Sequence, residues 1–397
     1  MDTEPRVEAY LNTQDFSTCK YDFAHPQHVE AIKGGTTNYT YRLLYSPEKG
    51  QRSVVSAVLK FAAEYATNDP FTPFSSERQR YEAHAMRELA DALNAQYEGE
   101  ECIVRAPELY YYDDASHVMI MEDISPPPSL SASGAGPLYI SLENMCQSPV
   151  GENALELMRL LGDQLGRYLY RLHSLTRGAS EPASRDLRVL FLPNSMSKEI
   201  DVQTCFRDVP AKLAQYGIRL SADDHNKLAD IIADLDKDYM NTPESVIMGD
   251  TFFGNIILKL NGNGGEKTLE SISIIDWEFA ACAPCYVDLA HYLSEIWLQD
   301  RFFPGPGPAA AVNQEAAIST FQSYIRSGGS VDPRRLACYV GGHAACFLQF
   351  MDWNDHDGVK RAVAKEGALM MLHADKGDWA EIGRNSPFMG KILELLL

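Results

Sequence analysis

The 397-residue sequence predicts an α+β protein with a strand-rich N-terminal lobe and a larger, mainly helical C-terminal lobe. Short runs of β-branched residues fill the first third, a stretch dense in Pro, Ser and Gly follows, and leucines then recur at helical spacing. We therefore expect an N-lobe over residues 1–124, a linker or insertion over 125–152 and a C-lobe over 153–397.

Strands are expected in the N-lobe at 40–45, 53–60 and 118–121. Val, Ile, Thr and Tyr are enriched there, and turn-forming residues flank these runs. Between the second and third strands, apolar residues recur every three or four positions from Ser75 to Asn94. This spacing predicts one helix with a buried face.

The segment 125–151 holds five Pro, six Ser and three Gly among 27 residues, which favours a linker or insertion over a folded unit. Beyond it, leucines at intervals of three and four predict a helix that ends near His173. Short strands at 255–260 and 271–275 flank an Asn- and Gly-rich turn and predict a hairpin. Helices are expected from Val287 onward.

The composition excludes some classes of protein. Asp and Glu number 55 against 35 Lys and Arg, a net charge of −20, which argues against a nucleic-acid binder. The longest apolar stretch, 337–351, falls short of the roughly 20 residues that span a bilayer, so no membrane segment is expected. No basic patch and apolar run open the chain, and the cytoplasm is the expected compartment.

Two acidic segments carry residue types suited to phosphoryl transfer. Asp250 stands five residues before Asn255, and Asp276 directly follows an apolar strand. Phosphoryl transfer uses a carboxylate that accepts the hydroxyl proton, together with carboxylate and carboxamide ligands for Mg²⁺. The predicted hairpin would hold Asn255 and Asp276 at neighbouring points.

The N-lobe supplies candidate phosphate contacts. Gly34 and Gly35 lie between strands, where backbone N–H groups can approach phosphates. Lys60 at a strand end is the candidate cation for the α- and β-phosphates, and Glu82 on the next helix is its candidate ion-pair partner. Each feature is common by itself, but their joint occurrence in this order favours a kinase-type site.

These motifs resemble those of a known family, the aminoglycoside phosphotransferase and choline kinase group of small-molecule kinases. Within the group the sequence is most similar to the methylthioribose kinase-like enzymes of fungi, over about residues 30–380. The segments that carry the resemblance are Gly34–Asn38, Arg78–Glu82, Leu172–Ser174, Asp250–Asn255, Ile275–Glu278 and Pro284–Leu289, and the stretch from Gly342 and His343 through Trp353 is similar as well.

The resemblance implies a two-lobe, protein-kinase-like fold that binds ATP and Mg²⁺. It implies that Asp250 is the catalytic base, that Asn255 and Asp276 are the magnesium ligands, and that Asp288 braces the catalytic loop. The nucleotide-binding residues it implies are Gly34, Gly35, Thr36, Thr37, Asn38, Lys60, Glu82, Met121, Glu122 and Ile124, the last three at the hinge beside adenine.

The acceptor is expected to be a small molecule with a hydroxyl group, because only 11 residues separate Asp276 from Asp288, too few for a peptide-presenting segment. An amine-bearing alcohol or phenol is one candidate. Trp277 and Glu278 are candidate acceptor contacts, with Glu278 pairing with the amine. Phe350 and Trp353 are further candidates, although an aromatic core stripe explains them equally well.

One departure from the family pattern supports an alternative. Met248 stands two residues before Asp250, where the family usually has His. An apolar Met can fill the same space, but its presence also fits a catalytically inactive, kinase-like nucleotide-binding or scaffold protein. Nothing in the sequence indicates the oligomeric state.

Overall fold

The computed structural model describes residues 1–33, 35–46, 54–95, 103–127, 137–177, 182–262, 265–303, 308–349 and 357–397. The strands are β1 (His28–Ala31), β2 (Tyr39–Leu44), β3 (Ser56–Phe61), β4 (Tyr65–Ala66), β5 (Asp69–Pro73), β6 (Val104–Arg105), β7 (Leu109–Asp113), β8 (Val118–Glu122), β9 (Leu138–Ser141), β10 (Ser245–Ile247), β11 (Ile256–Asn261), β12 (Thr268–Ile274) and β13 (Ala281–Ala283).

The helices are α1 (Glu4–Leu11), α2 (Arg78–His84), α3 (Ala90–Ala95), α4 (Leu142–Gln147), α5 (Ala154–Thr176), α6 (Pro182–Phe191), α7 (Ser195–Val202), α8 (Val209–Gln215), α9 (Ala222–Asn241), α10 (Tyr286–Phe302), α11 (Pro308–Arg326), α12 (Pro333–Cys346), α13 (Asp357–Lys376), α14 (Trp379–Asn385) and α15 (Pro387–Leu396). Shorter π and 3₁₀ turns lie at Ala85–Leu89, Gln203–Arg207, Phe253–Asn255, Trp277–Phe279 and Phe347–Gln349. None of the helices within the described ranges is both long and apolar enough to cross a bilayer.

The chain forms two compact units. The first unit comprises Met1–Gln96, Arg105–Pro137 and the short segment Ile275–Glu278, and the second comprises the rest of the chain. The first is rich in strands and the second mainly helical, which confirms the predicted α+β class.

The first unit is built on an antiparallel sheet of order β1-β2-β3-β8-β7. Strand β3 lies between β2 and β8 and is buried from Ser56 to Lys60, because its Ala, Val and Leu side chains pack on both faces of the sheet. Apolar residues of α1, the following loop and the sheet form one core, which includes Leu11, Phe23 and Leu59. The sheet thereby holds Lys60 in a buried position.

The helix predicted from Ser75 to Asn94 is confirmed, although it contains a π-helical turn at Ala85–Leu89. Its apolar positions are buried, as the spacing requires: Ala85, Leu89 and Leu93 are each at most 2% exposed. Helix α2 opens this element and carries both Arg78 and Glu82.

The predicted hairpin in the second unit is also confirmed. Strands β11 and β12 pair antiparallel from Ile256 opposite Ile274, and belong to a sheet of order β6-β12-β11-β9. Asn255 directly precedes β11, and Asp276 follows β12 by two residues along the chain. A separate antiparallel pair, β10 with β13, leads into the Asp250 loop and into α10.

The prediction of a linker or insertion over 125–152 is wrong for its C-terminal part. Residues Leu138–Ser141 form β9, which pairs with β11, and α4 follows at once. Ser141 begins this helix, and its hydroxyl accepts a hydrogen bond from the Asn144 backbone N–H. Backbone pairing to a strand more than a hundred residues away overrides the local Pro and Ser content.

The helix predicted to end near His173 is α5, which runs on to Thr176 and buries its leucine face. Gly162 and Gly166 lie against α11, where an added Cβ would come within 2.3 Å and 2.2 Å of the carbonyl oxygens of Ala316 and Thr320. Glycine is therefore required for this close helix contact. Helix α10 is buried over almost its entire length and forms the centre of the second unit.

Candidate active site

Lys60 is a buried ammonium held by two carboxylates of the first unit. It is 6% exposed, and its Nζ lies 2.6 Å from Glu82 Oε2 and also pairs with Asp276 Oδ1. Glu82 is 1% exposed. The predicted ion pair between Lys60 and Glu82 is thus present, and Asp276 shares the same cation.

The charges around Lys60 determine its ionisation. Burial alone would lower the pKa of Lys60, but the carboxylates of Asp276, Glu82 and Glu278 outweigh burial and raise it. Burial raises the pKa of the Glu82 carboxyl to about 7, although the Lys60 ammonium opposes this shift. Lys60 therefore stays positively charged at neutral pH.

Asp276 differs from the other two carboxylates in its accessibility. Its side chain is 30% exposed, whereas the side chains of Glu82 and Glu278 are 1% and 2% exposed. Its φ of 64° is in the left-handed region, which Asp tolerates better than most residues. Non-glycine residues in this conformation often occur at functional sites.

The first-unit cluster fits a divalent cation. Carboxylate oxygens of Glu82, Asp276 and Glu278 lie within 4.8 Å of one another. Two cationic groups, Lys60 and Arg78, pair with these three carboxylates, so acidic groups outnumber basic ones. The partly exposed Asp276 carboxylate in this acidic surrounding suits Mg²⁺, which keeps several waters and takes one or two protein carboxylates.

Arg78 fastens the loop that carries Thr37 and Asn38. Its guanidinium is 1% exposed and donates to Glu278 Oε2 at 3.1 Å, to the Thr37 carbonyl oxygen at 2.8 Å and to Asn38 Oδ1 at 3.0 Å. Glu278 in turn accepts hydrogen bonds from the Thr37 hydroxyl and the Asn38 amide, both at 2.8 Å. The side chains of Thr37 and Asn38 thus anchor the loop.

This network corrects the predicted acceptor role of Glu278. Both of its carboxylate oxygens accept hydrogen bonds from Thr37, Asn38 or Arg78, and the residue is 2% exposed. The Glu278 carboxylate is therefore not available to pair with an amine of the acceptor. Trp277 is 1% exposed, which likewise contradicts a ring that covers an acceptor. Local sequence patterns do not reveal this network, because the partners of Arg78 lie about 40 and 200 residues away along the chain.

The remaining predicted nucleotide contacts lie in the first unit. Gly35 and Thr36 are exposed, and Met121, Glu122 and Ile124 are half-buried at the end of β8. The Glu122 carboxylate is paired with Arg105, at 2.6 Å between Nη2 and Oε1. Three predicted residues lie outside the described part of the chain: Gly34, Phe350 and Trp353.

Asp288 holds the Asp250 loop in the second unit. The fully buried Asp288 carboxylate accepts hydrogen bonds from the backbone N–H groups of Met248 at 3.0 Å and Gly249 at 2.9 Å. His173 Nε2 lies 3.0 Å from the same carboxylate. The expected bracing role of Asp288 is therefore confirmed, and His173 is a buried, hydrogen-bonded residue at a helix end as predicted.

Asp250 and Asn255 meet across this loop. Asn255 Nδ2 donates to Asp250 Oδ2 at 3.0 Å, an orientation that directs the amide oxygen of Asn255 away from Asp250. The Asp250 side chain is 25% exposed, and its Oδ1 lies 3.7 Å from His291 Nε2. Met248 is 1% exposed, so it fills apolar space beside the loop.

The sequence analysis assigned no functional role to three polar residues near Asp250. His291 and Glu295 stand four residues apart on α10, and His343 lies on α12; all three are buried. The available signal was a pair of titratable residues, one helical turn apart, in a mainly apolar helix. Phe347, at the start of the turn after α12, packs its ring 4.6 Å from that of His343.

The chain is similar to known phosphotransferases over most of its length. The model of the family described as "Phosphotransferase enzyme family" (APH) matches residues 28–324. The chain is 27% identical to 4-hydroxytryptamine kinase of Psilocybe cubensis over 342 residues, 85% of this chain and 86% of that protein. It is 26% identical to 4-hydroxytryptamine kinase of Psilocybe cyanescens over 346 residues, 86% of each chain.

Among solved structures, the AMP-bound complex of spectinomycin phosphotransferase APH(9)-Ia aligns with 99% of this chain and 98% of its own, with a TM-score of 0.43 and 15% identity. The choline kinase LicA from Streptococcus pneumoniae aligns with 92% of this chain and 99% of its own, with a TM-score of 0.44 and 12% identity.

Proposed function

Because the chain belongs to the phosphotransferase enzyme family and is a small-molecule kinase, we propose that it transfers the γ-phosphoryl group of ATP, in the presence of Mg²⁺, to a hydroxyl group of a small acceptor. The observation that supports this most is the buried Lys60 ammonium held between Glu82 and the partly exposed Asp276. A fixed cation beside an accessible carboxylate suits a triphosphate and its metal ion.

The transfer is direct. The acceptor oxygen forms a bond to the γ-phosphorus, the bond from that phosphorus to the β–γ bridging oxygen breaks, and ADP leaves. Asp250 orients the hydroxyl and takes its proton, and the Asn255 hydrogen bond together with the Asp288-braced loop fixes the carboxylate.

Lys60 binds the α- and β-phosphates, and Gly35 and Thr36 lie in the loop proposed to contact the nucleotide. Asp276 and the amide oxygen of Asn255 are the proposed ligands of Mg²⁺. When bound, the ion neutralises charge on the phosphate oxygens.

The acceptor is small. Between Asp276 and Asp288 the chain makes only a 3₁₀ turn and the three-residue strand β13 before α10 begins. This connection leaves no segment on which a peptide substrate would lie.

A hydroxylated aromatic amine is the proposed acceptor class. The support is the similarity to two 4-hydroxytryptamine kinases, whose names specify a hydroxyl on an amine-bearing ring system. A net charge of −20 is compatible with a cationic acceptor.

The test is ADP release by the purified chain with ATP and Mg²⁺ against hydroxylated aromatic amines, amino alcohols and sugars. We expect ADP release that depends on a hydroxylated aromatic amine and stops when Mg²⁺ is chelated. Asp250→Asn should abolish turnover and leave ATP binding intact, because it removes only the proton acceptor. Turnover retained by Asp250→Asn would refute the assignment of the base, and ADP release with sugars alone would refute the acceptor class.

A further inference from the structure

The centre of the second unit contains a buried group of three side chains with metal-ligand chemistry. Helix α10 places His291 and Glu295 four residues apart, on one face, and α12 places His343 opposite them. These residues are 3%, 0% and 0% exposed. We refer to His291, Glu295 and His343 as the His–Glu–His cluster.

The three side chains converge on one point. One ligand atom from each, an imidazole nitrogen of both histidines and a carboxylate oxygen of Glu295, lie within 4.8 Å of one another. His343 Nε2 and Glu295 Oε1 are 3.5 Å apart. The rings of His291 and His343 are 4.4 Å apart between centroids, at an angle of 62°.

Most of these polar atoms lack hydrogen-bond partners. Among the residues that the structure describes, none hydrogen-bonds to either carboxylate oxygen of Glu295 or to His343 Nε2, while the His291 ring interacts with the Gly249 backbone. Buried polar atoms are normally paired, and an unpaired buried carboxylate is especially unfavourable. A bound cation that accepts electron pairs from all three side chains would satisfy these atoms at once.

Neighbouring residues orient His343 for this role. Its Nδ1 lies 3.6 Å from the Cys205 sulfur, which directs Nε2 toward Glu295. Cys205 is itself held by Asp201, whose Oδ1 is 3.0 Å from the sulfur. Metal-binding histidines commonly use their second nitrogen in this way, to fix the ring and its tautomer.

We propose that the His–Glu–His cluster binds a divalent transition-metal ion of the Zn²⁺ class. Two imidazoles and one carboxylate are a ligand set that Zn²⁺ accepts, whereas Mg²⁺ prefers oxygen ligands alone. The ion joins α10 to α12 behind the Asp250 loop, since His291 Nε2 lies 3.7 Å from Asp250 Oδ1. It is distinct from the magnesium ion proposed to accompany ATP.

Metal analysis of the full chain tests this proposal directly. Protein prepared without an affinity tag, loaded with Zn²⁺ and dialysed, should hold close to one equivalent by plasma mass spectrometry. Removal of the ion by a strong chelator should lower the melting temperature, and Zn²⁺ or Co²⁺ should restore it, with Co²⁺ giving the visible absorption of a site bound by nitrogen and oxygen. These readouts are independent of kinase activity.

Three variants assign the ion to the cluster. Glu295→Gln and His343→Gln should lose the bound equivalent, whereas His225→Gln, an exposed histidine on α9, should retain it. Cys205→Ser keeps all three ligands and should lower the Zn²⁺ affinity by about 10- to 100-fold, as loss of an orienting partner does. If Glu295→Gln fails to fold, the metal content of the unmodified chain and of Cys205→Ser still decides the matter.

The proposal is overturned if the loaded chain holds no stoichiometric metal and its melting temperature does not respond to Zn²⁺ or Co²⁺. It is also overturned if both ligand variants retain the full equivalent. A third result would contradict it as well: a metal-free chain in which Glu295→Gln raises KM for amine acceptors alone, since the cluster would then recognise an organic ammonium group.

Discussion

Two buried cations of the first unit serve different purposes, as their partners indicate. Arg78 directs its guanidinium nitrogens to Glu278, Asn38 and backbone carbonyl oxygens, so its hydrogen-bonding capacity is used within the protein. Lys60 is shared between buried Glu82 and the partly exposed Asp276. We therefore interpret Arg78 as structural and Lys60 as the cation available to a ligand.

Arg78→Met should destabilise the protein strongly. The change leaves the Glu278 carboxylate buried without its cation, and breaking a buried pair in this way costs about 3–5 kcal/mol. Arg80→Met is the matched control, because Arg80 pairs with Asp114 at the surface with 41% of its side chain exposed, and such pairs contribute about 0–1 kcal/mol. Denaturant unfolding of both variants measures the difference. Equal losses would contradict the structural role of Arg78.

At this scale, the sequence predicts residue types better than it predicts what each side chain contacts. The ion pair of Lys60 with Glu82 was predicted from a lysine at a strand end followed by a glutamate on the next helix, both in the N-lobe. Asp276 and Glu278 are only two residues apart, and both were predicted to contact ligands, Asp276 the magnesium ion and Glu278 the acceptor. Their side chains are nevertheless 30% and 2% exposed. What separates them is the Arg78 network, and pairing at a distance of 200 residues leaves no trace in local spacing.

The Asp250 loop is shaped by the elements on either side of it. Strand β10 leads in, and α10 presents Asp288 in its first turn to accept the N–H groups of Met248 and Gly249. Gly249 has a φ of 83°, and an added Cβ would lie 2.4 Å from the Phe279 carbonyl oxygen. Both the conformation and the close approach require glycine.

Gly249→Ala should therefore be destabilising and should lower turnover, because the loop must shift to admit a methyl group beside fixed backbone. We expect a loss of more than about 1 kcal/mol, the scale of left-handed backbone strain in a residue with a Cβ. Gly358→Ala is the control: an added Cβ there meets no atom of the described residues within 4 Å, and Ala in helix α13 should be neutral or stabilise by up to about 1 kcal/mol. Unfolding curves and kcat for both variants provide the comparison, and an unperturbed Gly249→Ala would contradict this account of the loop.

Elements that depend on local patterns were predictable. The hairpin of β11 and β12 follows from its Gly-rich turn, and the helix through α2 and α3 from its apolar spacing. Strand β9 was not predictable, because it is only four residues long and lies in a segment rich in Pro and Ser. It exists because β11 supplies hydrogen-bond partners from a distant part of the chain.

Over the whole molecule, acidic residues exceed basic ones by 20, and the two candidate cation sites use that excess in different ways. In the first unit, three clustered carboxylates outnumber the two cations beside them, which suits an ion that arrives with a nucleotide. In the second unit, the enclosed His–Glu–His cluster suits a resident ion. The motifs predicted the first site from residue order, whereas the second depends on how α10 and α12 pack.

Binding of ATP with Mg²⁺ should stabilise the whole chain against unfolding. A ligand present at 100 times its Kd contributes about 2.7 kcal/mol when only the folded state binds it. We expect a larger rise in melting temperature with ATP and Mg²⁺ than with ATP and a chelator, because Asp276 holds the ion beside the Lys60-bound phosphates. Asp276→Asn should keep the rise caused by ATP alone and lose the increment due to Mg²⁺, while Asp223→Asn, an exposed residue on α9, should keep both. If Asp276→Asn gains as much from Mg²⁺ as the unmodified chain does, the metal is held by other residues and the assignment of Asp276 is wrong.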